Sequence, residues 1–280
     1  GTRLYDGDES FKIKRSKIRG QISNGMICGP DEIGLGAKTD GIMELPDDAK
    51  VGMAGADYFN INEDIVFEIG LTPNRSDAMS HIGVARDLKA VLNSRGDDLK
   101  MCIPSVKDFN IDNKDLTIDV KIESEALCPR YSGVSISNVI VNESPDWLKH
   151  KLLSIGINPI NNIVDITNYV LHETGQPLHA FDSEKILGKE IIVKTLNKDT
   201  NFITLDENKR KLSENDLMIC NAEVPMCIAG VFGGLDSGVT NDTKSIFIES
   251  AYFDPTSIRK TAKYHKLNTD ASFRYERGCD

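Results

Sequence analysis

Short apolar runs separated by turn residues fill the second half of this 280-residue sequence. Runs of this length between Gly, Pro, Asn and Asp are typical of the short strands of a sheet. We expect strands at 191–193, 202–205, 217–220, 224–231 and 245–249. A helix should follow from Pro255 to about Tyr264, with Asp254 as its N-cap. The sequence therefore predicts an α+β fold class in which sheets dominate the second domain.

Further elements are indicated upstream by periodicity and by helix start and stop signals. Residues 116–122 alternate strictly between apolar and polar, which indicates a half-buried strand. The other expected elements are a strand at 64–71, a helix at 78–93, a strand pair within 131–141, and helices at 144–156 and 166–173. Together they favour a small two-layer α/β N-terminal domain, followed by a larger layered β-sandwich with helices.

A polar segment between Arg95 and Lys114 marks the expected domain boundary. We expect three parts, residues 1–35, 36–100 and 110–280. The stretch 11–20 alternates like a strand but has no partner strands before it. We therefore expect the opening residues to be the end of a domain that begins earlier in a longer protein.

Composition and charge narrow the functional classes. The net charge of −10 argues against a protein that binds nucleic acid over its whole surface, because phosphate binding needs clustered Lys and Arg. No apolar run approaches the roughly 18 to 20 residues that cross a bilayer, and the N-terminus lacks the layout of a signal peptide. We expect a soluble, cytoplasmic protein that contacts neither membrane nor DNA.

No motif for nucleotide, cofactor or metal chemistry occurs. The sequence lacks a Walker loop, a dinucleotide fingerprint, a GxSxG elbow and an HExxH pair. The cysteines are scattered without CxxC spacing, so we expect them to be reduced and mostly buried, with no metal site. They are Cys28, Cys102, Cys128, Cys220, Cys227 and Cys279.

Three segments and one glutamate are candidates for a functional site, and the mixture of polar and apolar residues in the first segment is typical of a pocket lining. Residues 161–182 include Asn168 and His179, each of which alone is more often structural than catalytic. The glycine-rich segment 227–238 is either a tight β-turn or a binding wall of backbone amides. Glu249 at a strand end is either a solvated charge or an acceptor for a ligand hydroxyl. Residues 265–278 pack charged and small residues together more densely than a solvated loop requires.

These segments resemble the motif set of one family when they are read together. Asp165-Ile-Thr-Asn-Tyr-Val170, Gly175-Gln-Pro-Leu-His-Ala-Phe-Asp182, Gly230-Val-Phe-Gly-Gly234 and the segment 269–278 resemble the β subunit of bacterial phenylalanyl-tRNA synthetase, in the same order. The stretches 16–26 and 71–77 extend the resemblance. It implies the end of a tRNA-binding OB-fold domain at 1–35, a structural domain at 36–100 and an editing domain at 110–280.

The resemblance also implies a hydrolytic site that removes tyrosine wrongly attached to phenylalanine tRNA. Such a site is needed because an apolar pocket built for phenylalanine rejects an isostere with one added hydroxyl only by roughly a factor of 100. His179 and Glu249 are the implied catalytic residues: His179 would position the water or the ester, and Glu249 would bind the tyrosine phenol. The implied substrate-binding residues are Thr167, Asn168, Gly230, Gly233, Thr269 and Ala271.

The implied partners are phenylalanine tRNA and the synthetase α subunit, in a heterotetramer of two α and two β chains, with free tyrosine as product. No cofactor is expected in this segment, whereas the complete synthetase would use ATP and Mg²⁺, so no aminoacylation by this chain alone is expected. An alternative is a tRNA-binding or scaffolding portion without catalysis. A further alternative treats the basic stretch from Lys12 to Arg19 as an RNA-binding arm of a regulatory protein.

Overall fold

The computed structural model describes residues 3–6, 9–35, 41–59 and 65–279. The chain divides into two compact units, Gly1–Ile65 and Val66–Asp280. The three predicted parts at 1–35, 36–100 and 110–280 stay a prediction, because compactness does not test the family assignment of each part.

Among its described residues, the first unit consists of two antiparallel hairpins and short helical segments. Its strands and α-helix are β1 (Arg3–Asp6), β2 (Glu9–Lys12), β3 (Ser16–Ile18), β4 (Gln21–Ser23) and α1 (Gly55–Tyr58). Arg19 and Gly20 join β3 to β4 with φ of 50° and 84°, as a tight two-residue hairpin turn requires. The cations Lys14, Arg15 and Lys17 are exposed around this hairpin.

The second unit combines helices with two main sheets. Its helices and strands are α2 (His81–Ser94), β5 (Asp119–Ile122), β6 (Arg130–Ser137), α3 (Asp146–Ser154), α4 (Asn162–Thr174), β7 (Leu178–Asp182), β8 (Glu190–Thr195), β9 (Asn201–Ile203), β10 (Lys209–Lys211), β11 (Leu217–Cys220), β12 (Pro225–Ile228), β13 (Phe232–Gly233), β14 (Ser245–Tyr252), α5 (Pro255–His265) and α6 (Asp270–Tyr275). The predicted α+β class is confirmed. No helix among the described residues is long and apolar enough to cross a bilayer.

The strand order is β13-β12-β11-β8-β5 in a five-stranded sheet and β6-β14-β7 in a three-stranded sheet. β5 and β8 pair in parallel. The other neighbouring strands of both sheets are antiparallel. β14 is the central strand of the smaller sheet, so its inward-facing side chains have neighbours on both sides.

Both sheets contribute side chains to one hydrophobic core. β11 is buried at every residue, as expected for a central strand that is covered on both faces. Phe181 and Phe247 from the three-stranded sheet are buried in the same cluster, together with Phe253 and Ile258. Each fully buried side chain of this size contributes about 1.5–3 kcal/mol. The core therefore holds the two sheets together and fixes which residues face each other between them.

Helix α4 is bounded by capping residues that the sequence supplies. The side chain of Asn161 accepts hydrogen bonds from the backbone N–H groups of residues 163 and 164. Gly175 ends the helix with a φ of 87°, in the left-handed region that favours glycine. The N-cap bonds explain why α4 begins four residues before the predicted start at residue 166.

Buried Asp165 ties the first turn of α4 to the chain around α3. Its carboxylate accepts hydrogen bonds from the Ser144 hydroxyl at 2.5 Å and from the backbone N–H of Ile160 at 2.9 Å. Asp165 is fully buried, so these bonds form away from competing water. The position of Thr167 and Asn168 on the same helix therefore depends on Asp165.

Most predicted elements downstream of residue 115 are confirmed. The strand predicted at 217–220 is β11, and the strand predicted at 245–249 is the first part of β14. The predicted helix from Pro255 is α5, and the Asp254 side chain caps it by accepting from the N–H of Ser257. Local turn and cap residues define these elements, which is why the sequence pattern predicts them.

Two predicted elements are wrong. The strand expected at 64–71 is absent at residues 65–71, and residue 64 lies outside the described residues. Ile65 and Phe67 are each 77% exposed, so the alternating apolar residues of this segment are not packed into a core. The strand pair expected within 131–141 is the single strand β6, whose partner β14 comes much later in the chain. An alternating pattern cannot show which distant strand will supply the pairing.

Replacing Asp165 by alanine should lower the free energy of unfolding by about 2–4 kcal/mol, because it leaves the Ser144 hydroxyl and the Ile160 N–H without their charged acceptor. Urea unfolding followed by tryptophan fluorescence measures this. The single tryptophan, Trp147 on α3, lies 5.5 Å from the Tyr169 ring of α4 and reports the packing of these helices.

Thr174→Ala is the matched control, because this exposed hydroxyl bonds only to nearby backbone groups: it donates to the carbonyl of Val170 and accepts from the N–H of Gln176. Its effect should stay within about 0.5 kcal/mol. Equal stability of the Asp165→Ala and Thr174→Ala variants would contradict a positioning role for Asp165.

Candidate functional site

His179 and Glu249 are direct cross-strand neighbours in the smaller sheet. His179 on β7 is the Cα partner of Glu249 on β14, and Phe181 is the partner of Phe247 two residues further along. Alternate residues of a strand share one face, so His179 and Glu249 project to the same side as the two phenylalanines. Because Phe181 and Phe247 lie in the core, the histidine and the glutamate face inward, between the sheets.

Glu249 is a buried carboxyl group with one strong hydrogen bond. Only 3% of the Glu249 surface is exposed. The Tyr131 hydroxyl donates to Oε2 at 2.7 Å, whereas Oε1 has no hydrogen-bond partner among the described residues. Burial raises the pKa of Glu249 to about 7, and the bond from Tyr131 acts in the opposite direction. The free oxygen can therefore accept one more donor.

His179 presents a neutral imidazole to the same interior. Its Nε2 atom is buried and has no hydrogen-bond partner among the described residues. Burial lowers the pKa of His179 to about 4, so the ring is uncharged at pH 7. The ring packs edge-on against Phe181, with 4.5 Å between the centroids. A neutral imidazole with an unused nitrogen can exchange one hydrogen bond with a water molecule or a ligand.

Gly233 on β13 brings the backbone of the larger sheet up to His179. A Cβ atom at this position would lie 3.1 Å from Cε1 of His179 and 2.8 Å from Cδ1 of Leu205. β12 and β13 form an antiparallel hairpin, so the glycine-rich segment is a turn that also approaches a candidate site residue. The absence of a side chain at 233 keeps the space beside the imidazole open.

Gly230 occupies a different environment from Gly233. Its φ is 65°, and a Cβ atom there would lie 2.9 Å from ring carbons of both Phe253 and Tyr275. Both rings belong to the hydrophobic core. The structure therefore places Gly230 against the core, where it allows the turn, and a direct contact between this glycine and a substrate stays a prediction.

Thr269 and Ala271 lie at the start of α6, which is tied to the glycine-rich segment. The Thr269 hydroxyl donates to the backbone carbonyl of Val231 at 2.9 Å. Thr269 is also the N-cap of α6 and forms a capping box with Ser272. Ala271 is partly buried against the core cluster. The helix start and the glycine-rich turn therefore form one connected wall.

Thr167 and Asn168 lie on α4, which packs against β7. Thr167 is buried, and its hydroxyl donates to the carbonyl of Val164 at 2.7 Å, so its oxygen lone pairs remain available to a donor. Asn168 is half-buried, and its amide has no hydrogen bond among the described residues. No hydrogen bond in the described part of the chain joins Thr167 to His179 or Glu249.

The described residues contain no group of three or more His, Cys, Asp and Glu side chains that could hold a metal ion. All six cysteines are unpaired thiols. Cys128, Cys220 and Cys227 are buried, Cys28 and Cys279 are half-buried, and Cys102 is exposed. Burial raises the pKa of Cys227 well above its ordinary value, so this thiol stays protonated and unreactive at pH 7.

Two residues near the site were not anticipated from the sequence. Tyr131 bonds to Glu249, and Leu205 lies beside the backbone of Gly233. Strand alternation indicates that Tyr131 shares a face with Gly133. The long-range pairing of β6 with β14 determines which residues of β14 that face contacts. No local motif carries this information.

The chain is similar along its whole length to proteins named phenylalanine–tRNA ligase β subunit. It is 59% identical to the protein of this name from Bacteroides fragilis, 60% identical to that from Bacteroides thetaiotaomicron and 54% identical to that from Porphyromonas gingivalis, in each case over 100% of this chain. The chain spans only 34% of the length of each of these relatives.

Among solved structures, the chain is similar to an N-terminal fragment of the phenylalanyl-tRNA synthetase β-subunit from Pyrococcus horikoshii. The identity is 19% and the TM-score 0.39, and the match covers 64% of this chain and 53% of that one. The family model described as the B3/4 domain matches residues 127–280, which include His179, Glu249 and the glycine-rich turn. This match extends over more than half of the sequence, so the chain belongs to the B3/4 domain family.

Proposed function

We propose that the site around His179 and Glu249 hydrolyses tyrosine from mischarged phenylalanine tRNA. The observation that carries the proposal is the cross-strand pair itself: a neutral imidazole and a buried carboxyl group face the same interior, beside a glycine that keeps the space open. The similarity to phenylalanine–tRNA ligase β subunits and the B3/4 family match support it. The reaction adds water to the ester carbonyl, breaks its bond to the terminal ribose oxygen, and releases tyrosine and the tRNA hydroxyl.

Glu249 would select tyrosine over phenylalanine. Its Oε1 atom lacks a partner among the described residues, and a tyrosine phenol can donate to it. A phenylalanine ring in the same place would bury the carboxyl group further and leave that oxygen unpaired, which costs about 1–3 kcal/mol. A site that requires the hydroxyl in this way rejects an analogue without it far better than an apolar pocket rejects an added hydroxyl. Correctly charged tRNA would therefore leave the site uncut.

His179 would position the attacking water or the ester. Its lowered pKa of about 4 makes the imidazole a weak base at pH 7, so proton abstraction is not its main contribution. The unused Nε2 atom can instead hold a water molecule in a fixed direction. An aminoacyl ester is already activated, so orientation of the nucleophile can supply much of the required acceleration.

The remaining predicted residues would hold the rest of the aminoacyl group. The lone pairs of Thr167 and the free amide of Asn168 suit the substrate ammonium group and the ester oxygens. Gly233, Thr269 and Ala271 would form a steric wall of the pocket. We propose from the similarity to the relatives alone that the substrate is a tRNA and that an α subunit is a partner. The same similarity is the one ground for the use of ATP and Mg²⁺ by the complete synthetase.

His179→Ala should reduce the release of tyrosine from tyrosyl-tRNA by about 100-fold, because it removes the group that orients water. Glu249→Ala should instead reduce the preference for tyrosyl-tRNA over phenylalanyl-tRNA by about 5- to 150-fold, which corresponds to 1–3 kcal/mol. Release of free amino acid from each charged tRNA is the measurement. Unchanged release and preference in both variants would refute the proposal, whereas tyrosine binding without release by the unaltered protein would indicate a scaffolding role.

Gly233→Ala and Gly230→Ala should fail in different ways. At Gly233 the backbone accepts a side chain, but the methyl group displaces His179 and Leu205, so release of tyrosine should fall at least tenfold with little loss of stability. At Gly230 a methyl group meets Phe253 and Tyr275 from a positive φ, so the melting temperature should fall. Calorimetry and release assays on both variants separate these outcomes. Equal melting temperatures with equal activity losses would contradict the distinct placement of the two glycines.

A further inference from the structure

Tyr131 reaches Glu249 from the strand opposite His179. On β6 the Cα partner of Glu249 is Gly133, and the partner of Ala251 is Tyr131. All four residues share the inward face, because they are separated by two along their strands. An aromatic side chain can reach its diagonal cross-strand neighbour, and the Tyr131 hydroxyl lies 2.7 Å from Oε2 of Glu249.

Gly133 leaves the position directly opposite Glu249 without a side chain. A Cβ atom there would overlap the Phe247 ring, so the sheet has no room for a larger residue. The side chain of β6 that contacts the Glu249 carboxyl group is therefore the phenol of Tyr131. The contact is built into the register of the sheet and not into a flexible loop.

The other titratable groups that face Glu249 are all neutral at pH 7. They are His179 from β7, Cys227 from β12, Cys128 from the turn before β6, and Tyr275 from α6. The pKa of His179 is lowered to about 4, and burial raises the pKa of Cys128 to about 12. Burial also raises the pKa values of Cys227 and Tyr275. Within the described part of the chain, Tyr131 is the one group that donates a hydrogen bond to the side-chain carboxyl group of Glu249.

We propose that Tyr131 is a specificity-determining positioning residue, whose hydroxyl holds the Glu249 carboxylate so that its second oxygen accepts the phenol of a substrate tyrosine. This inference rests on the proposed function and adds a residue to it. Tyr131 acts through Glu249 and does not itself touch the reacting ester.

The physical effect of Tyr131 is on the charge and direction of Glu249. A donated hydrogen bond favours the ionised carboxylate, whereas burial favours the neutral acid. Without the phenol the pKa of Glu249 should rise further above its ordinary value, so that most molecules are protonated at pH 7. Raising the pH above the new pKa restores the carboxylate. The loss should therefore be large near neutral pH and smaller in alkaline solution.

Tyr131→Phe tests the inference first in the free protein. Infrared titration of the Glu249 carboxyl group, assigned by its absence in Glu249→Gln, should show a midpoint shifted to higher pH. Tyr275→Phe is the matched control, because it removes a phenol from the same core that donates to the Ala251 carbonyl and not to Glu249. Its midpoint should not move. An unchanged midpoint in Tyr131→Phe would overturn the inference whatever the enzymatic activity.

The second measurement is the preference for tyrosyl-tRNA over phenylalanyl-tRNA, corrected for spontaneous ester hydrolysis. Tyr131→Phe should lower this preference about tenfold or more at pH 7 and recover part of it as the pH rises, whereas Tyr275→Phe should not change it. A shifted midpoint with an unchanged preference would overturn the specificity role. If the unaltered protein releases no tyrosine, the proposed function is refuted. A shifted midpoint in Tyr131→Phe would then still support the hydrogen bond between Tyr131 and Glu249.

Circular dichroism shows whether Tyr131→Phe folds. If it does not fold, a second measurement tests the inference. Replacing all tyrosines by 3-fluorotyrosine makes each phenol a stronger donor while its hydroxyl is retained. The Glu249 midpoint should then shift to lower pH in the fluorinated protein. An unchanged midpoint would contradict the inference.

Discussion

The burial of Glu249 between two sheets is the constraint on which the site depends. A carboxyl group that is 3% exposed is costly to ionise, and here one hydrogen bond from Tyr131 offsets part of that cost. The second oxygen remains unpaired among the described residues, so the site favours a ligand that supplies a donor. Selectivity then follows from a free-energy cost imposed on the wrong ligand, as well as from favourable interactions with the right one.

The three-stranded sheet makes this arrangement rigid. β14 places Glu249 between β6 and β7, so that Tyr131 and His179 approach from opposite sides. The larger sheet adds Gly233, whose missing side chain allows its backbone to lie close to His179. Asp165 holds α4, which carries Thr167 and Asn168, through bonds to the chain around α3. The candidate site thus uses strand registers and buried hydrogen bonds more than loop conformations.

Sequence reasoning predicted what is locally encoded and missed what depends on distant pairing. The cap at Asp254 and the apolar run of β11 were sufficient to place those elements. The partner of β6 could not be predicted, because strand pairing between residues so far apart leaves no local pattern. For the same reason the resemblance to a family pointed to His179 and Glu249, but nothing in the sequence linked Tyr131 to them.

Calorimetric binding of non-hydrolysable 3′-tyrosyl and 3′-phenylalanyl adenosine amides tests the central claim most directly. A phenol that donates to Glu249 favours the carboxylate, so binding of the tyrosyl compound near pH 6.5 should release protons, which appear as a dependence of the heat on the buffer. We expect at least tenfold tighter binding of the tyrosyl compound, with proton release that disappears in Glu249→Gln. Equal affinities for the two compounds, or tyrosyl binding without proton release, would contradict it.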